Sequence, residues 1–254
     1  MNKKIILKAL SWSGYSFCLF ISASIAARSY LYQHKDPEIE EYVQENLEQL
    51  IQEQEKILGI TYPAGRPAVQ YTLPDGYMVA GILGNYHHGT DTIHLASGIL
   101  TKPKIDFSDF IAIVITLNNN ENVKKILDHE LAHFYCDKLR ERVFKNHSFS
   151  ELYLTLLPEE RIAQRMIDEG IATYFENKMN GKEEEPASFQ NWPSDLFQFT
   201  NKEIYHGGYT IVKPVIDQHG EKGIQFLLFN PPTPKELFTP KKYQERMLAG
   251  IAKL

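Results

Sequence analysis

Two histidines four residues apart, with a glutamate between them, are the residues of this sequence best placed to do chemistry: His129-Glu130-Leu131-Ala132-His133. Residues at that spacing project from one face of an α-helix, so both imidazoles can meet a single ion at about 2.0–2.1 Å. Glu130 stands roughly 100° further round the helix, near such an ion without competing for it. A catalytic metal needs a third protein ligand and an open position. The segment Asp168-Glu169-Gly170-Ile171-Ala172-Thr173-Tyr174-Phe175-Glu176 offers a carboxylate on a second predicted helix, and Glu169 is the natural choice. Gly170 would let the two helices approach closely, and Asp168 or Thr173 could orient a ligand from behind.

These residues need two helices to present them. Val123, Ile126, Leu127, Leu131, Phe134 and Leu139 recur mostly at spacings of three and four, which predicts a long amphipathic helix over residues 121–145 with Asn118, Asn119 and Asn120 as capping candidates. Ser148 and Glu151 form a capping-box pattern, and Pro158 suits the first turn of a helix running to about residue 179, ended by Asn180-Gly181. Upstream, residues 36–58 read as an acidic surface helix packed by one face, broken by Gly59, Pro63, Gly65 and Pro67. Residues 68–100 change to short runs of Val, Tyr, Ile and Thr. Pro74-Asp75-Gly76, Gly84-Asn85 and His87-His88-Gly89 punctuate them, so a small, twisted, mostly antiparallel sheet is expected, with residues 91–95 as its edge strand. Residues 110–117 are either another buried strand or the start of the next helix. Residues 182–193 are loop-like, and helical patterns resume over 212–218, 223–229 and 243–254. The fold class is α+β: a small sheet followed by a helical half, in one domain over residues 36–254.

Composition removes other functions. The chain has 254 residues, 43% of them hydrophobic, which is enough for a packed core. Its net charge is -5, and the first 27 residues hold three lysines as their only charged side chains, so the remainder carries -8. That sign argues against nucleic acid as a partner. With Cys18 and Cys136 the only cysteines, no disulfide framework is available, and Cys136 reads as a buried structural thiol. Lys3, Lys4 and Lys8 precede an uncharged run over residues 9–27, about long enough to span a hydrocarbon core. Residues 1–27 therefore suit a signal peptide, cleaved after the small residues Ser24-Ile25-Ala26 or Ile25-Ala26-Ala27, or equally an uncleaved N-terminal membrane anchor. Either way the protein is expected to be exported and extracytoplasmic.

HELAH followed by DEGIATYFE resembles the gluzincins, the group that includes thermolysin and the zinc aminopeptidases, over residues 128–176. The resemblance implies a zincin-like catalytic domain in which His129, His133 and Glu169 bind Zn2+ and Glu130 is the catalytic base. It also implies a peptide or protein substrate. The strand Ile93-His94-Leu95 resembles the edge along which gluzincins pair extended peptide. Tyr205-His206-Gly207-Gly208 resembles the Y-x-x-G element that steadies the oxyanion, which makes Tyr205 the first candidate, followed by His206 and Tyr209. The aminopeptidase run G-x-M-E-N is absent, since Gly81-Ile82-Leu83-Gly84-Asn85 lacks the glutamate that would bind a free amine. The expectation is a zinc metallopeptidase, a hydrolase. The alternatives are a catalytically inactive zinc- or peptide-binding envelope module, or a zinc hydrolase of a non-peptide amide or ester. Glu130 favours an enzyme, because a purely structural zinc needs a fourth ligand and no neighbouring base. His87, His88, His94 and His219 read as structural or solvent-facing, although His94 could line the cleft. Glu176 reads as a surface or outer-sphere group, and Glu183, Glu184 and Glu185 as a solvated charge run.

Overall fold

The computed structural model describes residues 35–63, 65–72, 83–97, 120–144, 155–190 and 192–252. The apolar leader over residues 9–27, the 110–117 run, the Pro74-Asp75-Gly76 turn and the Ser148/Glu151 capping pattern lie outside them. Among the described residues no helix is long and apolar enough to cross a membrane.

Helix α1, Pro37–Leu58, starts where the Asp36 side chain accepts from the N–H groups of Glu38 (2.9 Å) and Ile39 (3.3 Å), and stops at Gly59 in the left-handed region, φ 63°. It buries Ile39, Val43, Leu50, Ile51 and Gln54. Three short strands follow: β1, Ala68–Gln70; β2, Gly84–His87; β3, Thr92–Leu95. They form one sheet in the order β1-β3-β2, with β1 parallel and β2 antiparallel to β3.

This sheet is mixed, not mostly antiparallel, and β3 is its centre, not its edge. The hairpin through Asp91, φ 50°, lays β3 beside β2, and β1 then takes the other side of β3. All four β3 residues are buried as a result. Gly84-Asn85, expected as a turn, instead opens β2.

The helical half is α2, Asn120–Phe144; α3, Pro158–Met179; α4, Gly208–Phe229; α5, Pro234–Leu237; and α6, Pro240–Ile251. Helix α3 has Pro158 in its first turn, and the Glu160 carboxylate accepts from the Leu157 N–H at 2.8 Å. The two predicted stretches 212–218 and 223–229 fall within α4, which kinks at Gly220, φ 56° and ψ -135°. Five residues before α4, Glu203–Gly207, form a π-helical turn that periodicity did not foreshadow.

One continuous apolar core links these parts. Leu127, Leu131 and Phe134 of α2 are fully or almost fully buried against Ile51 of α1, Ile93 of β3, Ile171 and Phe175 of α3 and Val212 of α4. Each such side chain contributes about 1.5–3 kcal/mol by leaving water. The α+β class holds in this coarse sense: mostly helical, with a three-stranded sheet against α2.

Candidate metal centre

Helix α2 is held one residue before His129 by a buried polar junction with α1. Gln54 donates to the Asp128 carboxylate (3.0 Å) and to the Asp128 carbonyl (3.2 Å), and the Tyr62 hydroxyl lies against Gln54 Oε1 and the Leu131 carbonyl. Lys124 caps the other oxygen of Asp128 at 2.9 Å. Burying Asp128 without such partners would cost several kcal/mol, so the arrangement fixes the rotation of α2 about its axis.

On the opposite wall, a buried Arg140 of α2 pairs with Asp168 of α3, which also accepts from Gln164. Asp168 thus ties the two helices together and does not reach a ligand. Gly170 serves a different contact from the one expected. A Cβ there would stand 2.5 Å from the backbone of Gly208, so glycine is needed for α3 to meet the start of α4, not α2. That contact seats the π-turn carrying Tyr205 directly beside Glu169.

The outcome is a cluster of three donors. His129 Nε2 and His133 Nε2 are 3.3 Å apart, and Glu169 Oε2 lies 3.2 Å from the first and 3.4 Å from the second. For bonds of about 2.0–2.1 Å in tetrahedral array, ligand atoms stand about 3.3–3.4 Å from one another. The three atoms therefore match one face of a tetrahedron, and among the described residues no fourth His, Cys, Asp or Glu joins the group. Residue types and spacing fit three ligands of one metal ion.

Electrostatics reinforce the fit. Burial opposes a charge on His129, but hydrogen bonds to Glu169 and Glu176 and the field of Glu130 outweigh it and raise its pKa to about 10. Burial likewise disfavours ionised Glu169, yet the field of His133 and hydrogen bonds from both imidazoles hold it well below the usual carboxylate range. Three carboxylates around two imidazoles leave excess negative charge, which a proton or a metal cation can neutralise.

Glu130 is buried and turned towards the sheet, where its Oε2 accepts the backbone N–H of Tyr86 at 2.7 Å. Burial raises its pKa, against the fields of His129 and His133 and the Tyr86 hydrogen bond. Strand β2 comes this close because residue 84 is glycine: a Cβ would meet Ile126 Cγ2 at 2.3 Å and Glu130 Oε1 at 3.2 Å. The sheet edge facing the site is thus β2. The Ile93-His94-Leu95 strand has its backbone paired on both sides, and His94 contacts the Thr72 carbonyl at 3.2 Å.

Tyr205 stacks on His129, ring centroids 5.8 Å apart and 19° between planes, and its hydroxyl interacts with Glu169 and Arg165. His206 turns away to the exposed Glu184 at 3.0 Å, and Tyr209 is buried in the core beside Tyr174. Of the three candidates for the Y-x-x-G element, Tyr205 alone stacks on an imidazole of the donor cluster.

Two further groups border the cluster: Glu176, expected as a surface or outer-sphere group, and Arg165, which no motif marks. Glu176 lies 3.5 Å from His129 Nδ1, the arrangement by which an outer carboxylate orients a metal-binding imidazole. Its position two helical turns after Glu169 carried that signal. The Thr173 hydroxyl, also considered as an orienting group, is buried and accepts or donates no hydrogen bond among the described residues. Arg165, one turn before Glu169, places Nε 3.6 Å from Glu169 Oε1. Cys136 is a free, buried thiol whose pKa burial pushes up, as befits a structural residue.

No protein family, no curated protein and no solved structure matches this chain. The gluzincin resemblance therefore rests on the HELAH and DEGIATYFE motifs alone.

Proposed function

We propose that this protein is a gluzincin-type zinc metallopeptidase, exported or anchored by residues 1–27, with His129, His133 and Glu169 as ligands and Glu130 as general base. The observation that carries the reading is the triangle of donor atoms with edges of 3.2–3.4 Å beside the buried Glu130, which stands outside the triangle. A zinc ion held there supplies Lewis acidity, polarising a carbonyl and making water a better acid.

The chain's own groups do the rest. Glu130, with its pKa raised by burial, accepts a proton from the attacking water and returns it to the departing amine. The Tyr86 N–H holds one Glu130 oxygen, which fixes the carboxylate near His129 and His133 before substrate arrives. The Tyr205 hydroxyl stays protonated, because burial raises its pKa, and is available as a donor to the developing oxyanion. An extended peptide is expected to run along β2, whose outer edge faces Glu130.

Cleavage of casein or a peptide library, with a parallel panel of esters and amides, tests the reading. We expect chelator-sensitive peptide cleavage that falls by about 10²–10⁴ in Glu130→Gln while bound zinc is unchanged. Full activity in Glu130→Gln would remove its role as base, and turnover of the ester panel alone would replace the peptidase by another hydrolase.

A further inference from the structure

Arg165 adds a substrate class to the proposed function and rests on that reading of the metal centre. Its side chain is 45% exposed, and its Nε stands 3.6 Å from Oε1 of Glu169. That oxygen is the one turned away from the imidazoles, which both face Oε2. Tyr205, whose ring stacks on His129, is electrostatically coupled through its hydroxyl to both Glu169 and Arg165.

A guanidinium in this place repels the cation that the three ligands are arranged to hold, so it lowers metal affinity. As a half-exposed pair four residues apart on one helix, it also returns little to the stability of α3. Its benefit has to come from an anion, and once zinc draws on the charge of Glu169, the guanidinium is left with weaker compensation. Even with one N–H turned to Glu169 and another to Tyr205, the five-donor fork retains donors at the exposed rim. A planar acceptor with two oxygens suits such a fork best, and in a peptide that acceptor is a carboxylate. We propose that Arg165 is a specificity-determining residue that binds a carboxylate of the substrate beside the scissile bond.

Succinate and succinamate are matched probes, since the second keeps one carboxylate and the length of the first but exchanges the other carboxylate for a neutral amide. Each is titrated calorimetrically into the full-length protein after its zinc content has been measured. Wild type should bind succinate about tenfold more tightly, a difference of about 1.4 kcal/mol. In Arg165→Met the ratio should fall to about one with a single equivalent of zinc still bound, and Arg165→Lys should keep part of the preference. Equal binding of the two probes by wild type, or an undiminished preference in Arg165→Met, overturns the proposal. A folded protein that takes up no zinc sinks the metal reading first, and this inference with it.

Two peptide pairs then identify the source of the carboxylate. A preference in kcat/KM for a free C-terminal acid over its amide, lost in Arg165→Met, assigns the chain terminus. A preference for Asp over Asn next to the cleaved bond, lost in the same variant, assigns an acidic side chain. An Arg165-dependent preference in neither pair contradicts the inference.

Discussion

Helix α2 contributes two residues to each of two clusters of three potential metal ligands, completed by Glu169 of α3 in one and Asp91 of the β2–β3 hairpin in the other, and the clusters differ in what already neutralises them. In the first, His129, His133 and Glu169, the three donor atoms face one another with no lysine between them. In the second, Asp91, Asp137 and Glu141 lie within the same limits, but Lys138 inserts its ammonium 2.6 Å from Asp91 and 2.8 Å from Glu141. The Tyr86 hydroxyl adds contacts to Asp91 at 2.8 Å and to Asp137 at 3.0 Å, and His88 stands 3.3 Å from Asp137. Proximity of acidic and imidazole groups is common to both. The difference is where the chain's own cation sits: Lys138 lies among the donors of the second cluster, while Arg165 meets the first only from outside, at the Glu169 oxygen that the imidazoles do not face.

The comparison can be broken most sharply at the ligands. Glu169→Ala or His133→Ala should reduce zinc affinity by more than the roughly 10–100-fold that loss of an outer-sphere partner costs, while Asp137→Asn leaves one equivalent bound. Competition with a chromogenic chelator, with circular dichroism as the check on folding, reads the result. Retention of zinc in the ligand variants, or its loss in Asp137→Asn, would reverse the assignment of the two clusters.

A smaller effect is expected one contact further out. Glu176→Gln keeps a group of the same shape beside His129 Nδ1 but removes the charge, so zinc affinity should fall about 10–100-fold. An unchanged affinity would make Glu176 a bystander.

Protons compete with the ion for the first cluster. Against the opposing effect of burial, hydrogen bonds to Glu169 and Glu176 raise the His129 pKa to about 10 in the folded metal-free protein, from about 6.5 when unfolded. Its contribution to metal-free stability is therefore fully present below about pH 6.5 and lost as pH rises through about 10. Zinc must displace that proton, so apparent zinc affinity should climb by up to about tenfold per pH unit across the same window. Chelator competition at several pH values, paired with denaturant melts of the metal-free protein, checks both trends. A flat affinity profile would mean that His129 is already neutral.

The smallest effect concerns the second cluster. In Lys138→Met the carboxylates lose their resident cation, and a second, weaker equivalent of divalent ion should become measurable by calorimetry. Stoichiometry fixed at one would show that Lys138 is not what excludes an ion.

The clustered donors were legible in the sequence because helix geometry is local: the spacing of four within HELAH and the apolar rhythm around it determine which side chains share a face. Helices α1, α2 and α3 appear within a residue or two of their expected bounds for the same reason. The sheet was harder, because strand order depends on pairing between distant segments, and nothing in Thr92-Ile93-His94-Leu95 itself says that it is flanked on both sides. Gly84 looked like a turn residue, whereas it is a strand residue emptied of its side chain to admit Ile126 and Glu130. Gly170 was rightly read as a close approach, but the partner was Gly208, which only the tertiary structure supplies. The Tyr86 N–H at Glu130 had no signal to find, since every non-proline residue carries the same donor.

One zinc ion held by two imidazoles and one carboxylate, with room for a solvent molecule, is the state expected of the site. Zinc X-ray absorption on the purified full-length protein reads it out. The expected spectrum has one equivalent of zinc with two nitrogen neighbours and oxygen neighbours at about 2.0–2.2 Å, and loses the imidazole signal in a His129→Ala/His133→Ala protein. A sulfur neighbour at about 2.3 Å, or a spectrum unaltered in that double variant, would contradict it.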